Sequence, residues 1–460
     1  MKPLQISCPY DGQIVGELAP TRPEELDGIF TRAQAGARQM RQWTRAERSA
    51  LLRRAAQGME ARREELARTL ALESGKPLRE ARTEVERALS TVLFSAEEAN
   101  RLAGEEVPVD AAPVGAGRLA MTLREPRGVI AAITPFNFPL NLSLHKVAPA
   151  LGAGNAVIHK PASRTPMVAL AVREIFLAAG CPPEAWQIVL GPGSEIGEAL
   201  LASPVINMLT FTGSAAVGYG LRARAATKRV TLELGNNSAV VVRADADFEL
   251  ALDSCVRGAY SNSGQTCISV QRIYVETPLA EAFAQAFAEK ARRLARGHPL
   301  SESTEISSLI APGEAERVED WVGEAESAGA SVIERGSRDA ARLGPTVLWN
   351  APAAAKVMAE EVFGPVATIV PVADLDAALA EVNASRFGLQ AAIFTRDLDA
   401  AWRFARQAYC GGVLINDPTT FRADHMPYGG VKESGTGREG PRYAMEEMTE
   451  LKLVSWRVSS

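Results

Sequence analysis

The chain reads as an α/β protein with two open, mainly parallel α/β domains. Three observations predict this class. From residue 128, short apolar runs ("GVIAAIT", "NAVIHK", "WQIVLG", "INMLTFTG", "RVTLELG") alternate with helical patterns such as "PMVALAVREIFLAAG", which is the rhythm of βαβ units. A second alternation starts at "NSAVVV" and ends at "GGVLIN", passing through "RIYVE", the helical "AEAFAQAFAEKARRLA", "ATIVPV" and "AAIFT". The 460 residues also supply enough chain for more than one domain, at roughly 100–200 residues each.

Taken in order, residues 22–103 carry Ala, Arg, Glu and Leu at helical spacing. Charge covers their polar faces, so they read as surface helices. The two alternations meet near residue 235. "RLAMTLREPRG" and the tail "TELKLVSWRV" read as strands outside both sheets. Exposed strands need a partner, and a second subunit is a natural one. Apolar residues make up 47%, charged residues 23%, and the net charge is −5. Neither a nucleic acid nor an anionic membrane surface is expected as partner. No apolar run reaches the roughly 18 residues of a membrane span, and "MKPLQISCPYDGQIVGELAP" has no apolar centre of a signal peptide. The five cysteines are scattered without a CxxC, and only four histidines occur. A disulfide framework and a metal site are therefore not expected, and a reducing cytoplasm is.

Several short stretches carry chemistry. In "SNSGQTCIS", Cys267 sits in a polar, flexible stretch, where a thiol is either an accessible nucleophile or a bystander. "VTLELGNNS" ends a strand with Glu233, a general base or a capping carboxylate. "TPFNFP" brackets Asn137 with prolines and aromatics, an oxyanion donor or a turn residue. "EEVFGP" places Glu361 and Phe363 before a Gly-Pro turn, for ribose hydroxyls and ring packing, or as a loop with a core Phe. The usual G-x-G-x-x-G is absent, but "FTGSAAVG" puts Gly213 and Ser214 between a strand and a helix, where a phosphate can sit. "HKPAS" ends a strand with Lys160, for ribose or phosphate, or simply solvated.

Together, "TPFNFP", "HKPAS", "FTGSAAVG", "LELG", "GQTC", "EEVFGP", "IND" and "PYGGVKESGTGREG" resemble, in order, the motifs of the aldehyde dehydrogenase superfamily. The similarity runs from about Pro9 to Trp456, and the lactaldehyde and semialdehyde dehydrogenases are the members it looks most like. The resemblance implies an NAD(P)-binding domain over 1–103 and 127–235 and a catalytic domain over 236–430. It also implies oligomerisation strands over 104–126 and 444–458, pairing across subunits in a homodimer or homotetramer. It implies oxidation of an aldehyde to an acid through a thiohemiacetal and a thioester on Cys267. Asn137 and the Cys267 N–H would hold the alkoxide, Lys146 would support the Asn, and Glu233 would activate the hydrolytic water. Lys160 and Glu361 would hold the cofactor riboses, Phe363 the nicotinamide and Ser214 the pyrophosphate.

Two positions depart from the family pattern. Many NAD-preferring members carry Glu where this chain has Ser163, followed here by Arg164. Loss of the carboxylate removes repulsion of a 2′-phosphate, so NADP or dual use is expected over NAD alone. Asn236 replaces a frequent Gly, in a turn that Asn enters by tolerating positive φ. "DPTTFRADHMPYGG" is similar to members acting on small hydroxylated or carboxylated aldehydes. Arg422 or His425 would meet the polar group, or be structural, and Phe138 and Ile268 would line the tunnel. The rivals are a CoA-acylating semialdehyde dehydrogenase, which usually lacks the carboxylate of Glu233, and a non-catalytic binding or structural protein on the same scaffold.

Overall fold

The computed structural model describes residues 2–458. After a hairpin of Leu4–Ser7 and Ile14–Leu18 come four helices, Leu26–Gln42, Arg45–Ala61, Arg63–Ser74 and Leu78–Arg101. Thr44 starts the second with a capping box to Glu47, and Gly75, in the left-handed region, stops the third. The helices bury Leu51, Leu70 and Val85 against Ile130, Val157 and Trp186 of the first sheet. Not all their charges are on the surface, as the spacing predicts. Lys76 and Glu84 are fully buried against each other, because both face the loops described below.

The first sheet has six strands in the spatial order Gly435–Thr436, Arg229–Glu233, Ile206–Thr212, Val129–Ile133, Ala156–Lys160 and Trp186–Ile188. All neighbours are parallel except the first pair. "VIAAI" is apolar throughout because both its faces are covered. The register aligns Lys160 with Ile133, Ile133 with Phe211, and the following Thr212 with Glu233. Lys160 and Glu233 thus reach the carboxyl edge together, where open α/β sheets bind ligands.

Residues 234–238 lead directly into Ala239–Val242 of the second sheet. Its seven strands run Ser331–Glu334, Thr346–Trp349, Val366–Val372, Arg272–Glu276, Ala239–Val242, Gln390–Phe394 and Gly412–Ile415. Only the first pair is antiparallel. The C-terminal segment then returns, pairing Gly435 with Glu233, a crossing no local pattern announces.

The outlying strands differ from expectation. Arg118–Pro126 and Thr449–Arg457 pair with each other within one chain, antiparallel over their full length. Their facing edges satisfy one another within the chain. Leu119, Met121 and Leu123, with Trp456 opposite Leu119, leave one face of the ribbon apolar and exposed, and Leu451 and Leu453 do the same for the other. Among the described residues, no helix is long and apolar enough to cross a membrane.

Candidate active site

Cys267 follows the helix Phe248–Tyr260 and a tight turn over Ser261–Gly264. Asn262 and Ser263 take φ of 50° and 54°, and Gly264 75°. Two consecutive non-glycine residues in that region cost of order 1–3 kcal/mol each and persist only when held by their surroundings. Gly264 is required, since a Cβ there would lie 2.0 Å from the Gly364 carbonyl oxygen. The stretch is not the flexible loop its composition predicts. Asn262, Ser263, Gly264, Gln265 and Thr266 are all buried. The Asn262 N–H donates to Glu80 Oε2 at 2.7 Å, and Gln265 Oε1 accepts from the Ile310 N–H at 2.9 Å. The small polar residues are small and polar because they bond inward.

The loop carrying Asn137 is clamped by the helix Leu78–Arg101 and the turn that precedes it. Lys76 Nζ donates to the Asn137 carbonyl at 2.8 Å, lies 4.0 Å from the Phe138 ring centroid and pairs with Glu84. Glu84 Oε1 accepts from the N–H groups of Leu140 and Asn141. Asn137 Nδ2 donates to the Gln265 carbonyl at 3.0 Å, which ties the two loops together. An amide nitrogen carries two hydrogens, so one remains. Breaking the buried pair leaves an uncompensated charge. Lys76→Met is expected to destabilise the protein by about 3–5 kcal/mol, read as a lower denaturant midpoint, and to lower kcat more than it raises KM.

A cavity of about 760 Å³ opens at Cys267 and is lined by Phe138, Ile268, Arg422 and Tyr428, with Arg87 further out. Phe138, Ile268 and Arg422 thus lie where expected of tunnel residues. His425 does not: it is exposed and packs at 4.5 Å against Phe94, because the turn at Asp424 directs it outward while Asp424 itself bonds Arg87, Asn141 and His145. The half-buried thiol of Cys267 meets the Tyr428 hydroxyl at 3.0 Å. Burial pushes the thiol up to about 12, against the pull of the Tyr428 hydrogen bond.

Glu233 borders a second, much smaller cavity beside Thr210, Thr231 and Glu439. Lys146 Nζ donates to Thr210 at 3.1 Å and to Glu439 at 2.9 Å, and Glu439 also pairs with Arg422 at 3.0 Å. Glu439 is held well below the usual carboxylate range by Lys146 and Arg422, which outweigh its burial. Glu233 behaves oppositely. Burial first, then the Glu439 charge, raise it well above the ordinary value, and its Oε2 has no partner. Two adjacent carboxylates with proton affinities pushed apart are a hallmark of acid–base sites.

Of the expected cofactor residues, Lys160, Ser163, Gly213 and Ser214 lie at or just after strand ends of the first sheet, and Glu361 and Phe363 lie in the loop before Val366–Val372 of the second. Lys160 Nζ is buried and donates only to the Pro161 carbonyl, and Ser163 donates to the Gly191 carbonyl. Gly213 packs on the Phe211 ring, where a Cβ would come within 2.6 Å. Ser214 is the N-cap of Ala215–Arg224, yet its side chain makes no capping bond. Glu361 Oε1 accepts from the Asn236 N–H, burial pushes the carboxyl up to about 7, and Oε2 lies 2.5 Å from where a Cβ on Gly235 would be. Phe363, at φ 52°, meets Phe136 edge-on. Asn236 does not use positive φ as expected. Its amide bridges Ser238 and the Leu389 N–H, and that bridging is its role.

Sequence reasoning missed Tyr428, Glu439 and the Lys76–Glu84 pair. The first two stand inside "PYGGVKESGTGREG", where the run of glycines was the visible signal and the side chains between them were the chemistry.

A sequence model of the aldehyde dehydrogenase family matches residues 2–454. The chain is 49% identical over 408 residues to a 3-sulfolactaldehyde dehydrogenase of Priestia aryabhattai, covering 89% of this chain and 86% of that one. The fold superposes on aldehyde dehydrogenase 21 of Physcomitrella patens, solved with the reaction product succinate, with TM-score 0.97, 36% identity, and 99% and 95% of the two chains covered. It also superposes on a glyceraldehyde-3-phosphate dehydrogenase of Methanocaldococcus jannaschii solved with NADP, with TM-score 0.95, 36% identity and 99% of each chain.

Proposed function

The chain belongs to the aldehyde dehydrogenase family and is an oxidoreductase acting on aldehydes; on that premise we propose that it oxidises a short aldehyde bearing a hydroxyl or an acidic group to the carboxylic acid, with NADP or NAD as acceptor. The observation that carries this reading is the cavity joining the Cys267 thiol to Arg422. Arg422 is buried and its Nε has no partner. Its charge and that of Lys146 face Glu439, while Glu233 retains its proton more readily than an ordinary carboxyl. Arg422 thus offers the thiol cavity a buried guanidinium with an unused N–H, suited to an anionic or hydroxylated substrate.

In this mechanism Cys267 attacks the aldehyde carbon. The remaining Asn137 amide hydrogen and the Cys267 N–H hold the alkoxide, aimed before charge develops. The cofactor, when bound, accepts the hydride. Lys160 and Glu361 suit its ribose hydroxyls, and the uncapped helix start at Ser214 suits its pyrophosphate. The thioester left on Cys267 is hydrolysed by water that Glu233 deprotonates, which takes a rotation of its side chain from the smaller cavity towards the sulfur. The presence of Glu233 favours water over CoA as acyl acceptor.

The test is reduced-nicotinamide absorbance with NADP or NAD and a panel of sulfolactaldehyde, lactaldehyde, glycolaldehyde and succinate semialdehyde, with and without CoA. Turnover with hydroxylated or acidic aldehydes and no need of CoA is expected; turnover confined to plain alkyl aldehydes defeats the substrate assignment. Ser163→Glu is expected to raise KM for NADP about tenfold through repulsion of the 2′-phosphate while leaving NAD little changed. The exposed apolar faces of the ribbon and the open edge at Gly412–Ile415 support a homodimer or homotetramer, testable by light scattering. Five unpaired cysteines suit a reducing cytoplasm.

A further inference from the structure

We propose that the hydroxyl of Tyr428 is a catalytic group of this site, which donates a hydrogen bond to the sulfur of Cys267 and sustains the thiolate that attacks the aldehyde. The inference rests on the reading of Cys267 as nucleophile.

The hydroxyl lies 3.0 Å from Sγ. Tyr428 is buried and lines the cavity at the thiol. The Arg422 guanidinium stands 3.7 Å from the centroid of its ring. A cation over the face of a phenol is attracted to the ring and draws density from it, which makes the O–H a better donor. Arg422 is itself fixed by Glu439, and Glu439 by Lys146. A line of contacts therefore runs from the helix Asn141–Gly152 to the nucleophile, and its last link is a hydroxyl aimed at sulfur.

The direction of donation follows from charge. A thiolate only accepts, and a phenol is a stronger donor than a thiol. The charged and titratable groups that bear on the sulfur are Tyr428, Arg422, Glu361 and Glu233. Burial is the largest obstacle to ionising the thiol, and the Tyr428 bond is the largest influence against it. Tyr428 does not compete for the negative charge, since burial holds it well above the ordinary phenol range and keeps its proton on.

Tyr428→Phe removes the O–H and keeps the ring beneath Arg422. The rate of Cys267 alkylation by iodoacetamide, read from the modified peptide by mass spectrometry, is expected to fall about threefold at neutral pH. One pH unit of lost acidity cuts the thiolate about tenfold, and the more basic sulfur regains about threefold in intrinsic reactivity. kcat/KM for the aldehyde falls in parallel, while Kd for NADP stays as in the parent. A packing role is separated by the pair of variants: packing alone predicts parental rates in Tyr428→Phe and loss only in Tyr428→Leu. Equal alkylation rates in Tyr428→Phe and the parent overturn the proposal. Cys267→Ser is assayed alongside for turnover. Activity retained there defeats the nucleophile reading itself, whereas an inactive Cys267→Ser beside an unaltered Tyr428→Phe defeats only the role of Tyr428.

Discussion

Cys267→Ala abolishes aldehyde oxidation, by at least about ten-thousandfold in kcat, while NADP binding by fluorescence titration is retained: this is the largest effect expected of any single change. Removing a nucleophile takes away the covalent route altogether, and what survives is only positioning and electrostatics. No other thiol can substitute. Cys8, Cys181 and Cys255 are buried elsewhere in the fold, and neither they nor Cys410 line the cavity at Cys267. Cofactor binding survives because Lys160, Ser163 and Ser214 stand on the first sheet and the turns beside it, apart from the turn that carries the thiol. Retained turnover in Cys267→Ala removes the covalent mechanism. Simultaneous loss of cofactor binding marks instead a collapse of the strained turn at Asn262 and Ser263.

Glu233→Gln separates the two half-reactions. Loss of a general base typically costs 10²- to about 10⁴-fold, and here the cost falls on hydrolysis, since hydride departure from the thiohemiacetal asks nothing of Glu233. Rapid mixing is expected to show a burst of reduced cofactor approaching one per active site, then a slow steady state. The pH dependence has a definite sign. Burial and the Glu439 charge raise Glu233, and only its ionised form accepts a proton from water. Deacylation therefore increases with pH through a range above that of an ordinary carboxylate, and the Gln variant loses that limb. Slow hydride transfer without a burst assigns Glu233 to the first step. The neighbouring Glu439 stays ionised throughout, since Lys146 and Arg422 hold it low, so the limb belongs to Glu233.

Much of the site is legible in the sequence because strand ends and turns have local chemistry. "AVIHKP" and "VTLELG" announce strands that stop at Lys160 and Glu233, and the parallel register then brings both to one edge. "TPFNFP" announces a rigid loop, and the structure ties it to the Gln265 carbonyl. Other expectations depend on direction, which spacing leaves open. Arg422 and His425 stand three residues apart, yet one faces the thiol cavity and the other faces away against Phe94. Cys267 reads as exposed and flexible because Ser, Gly, Gln and Thr are also loop residues. The same types bond inward when a glycine lets two backbones approach, as Gly264 does at Gly364.

By itself the sequence determined the α/β class and the alternation of strands and helices, which are written in periodicity, while the thiol, amide and carboxylate are singled out by the resemblance of ordered motifs to a family and not by local composition. The tertiary structure decided the rest. Tyr428 reaches Cys267 across 161 residues and Glu439 reaches Lys146 across 293. The two outlying strands close on each other within one chain. Proton affinity followed the same division: Glu233 and Glu439 are the same residue type, and one is raised and the other lowered by what surrounds them. Burial and partner charge are properties of the closed fold, and no local pattern encodes which distant segment will return to cover a given side chain.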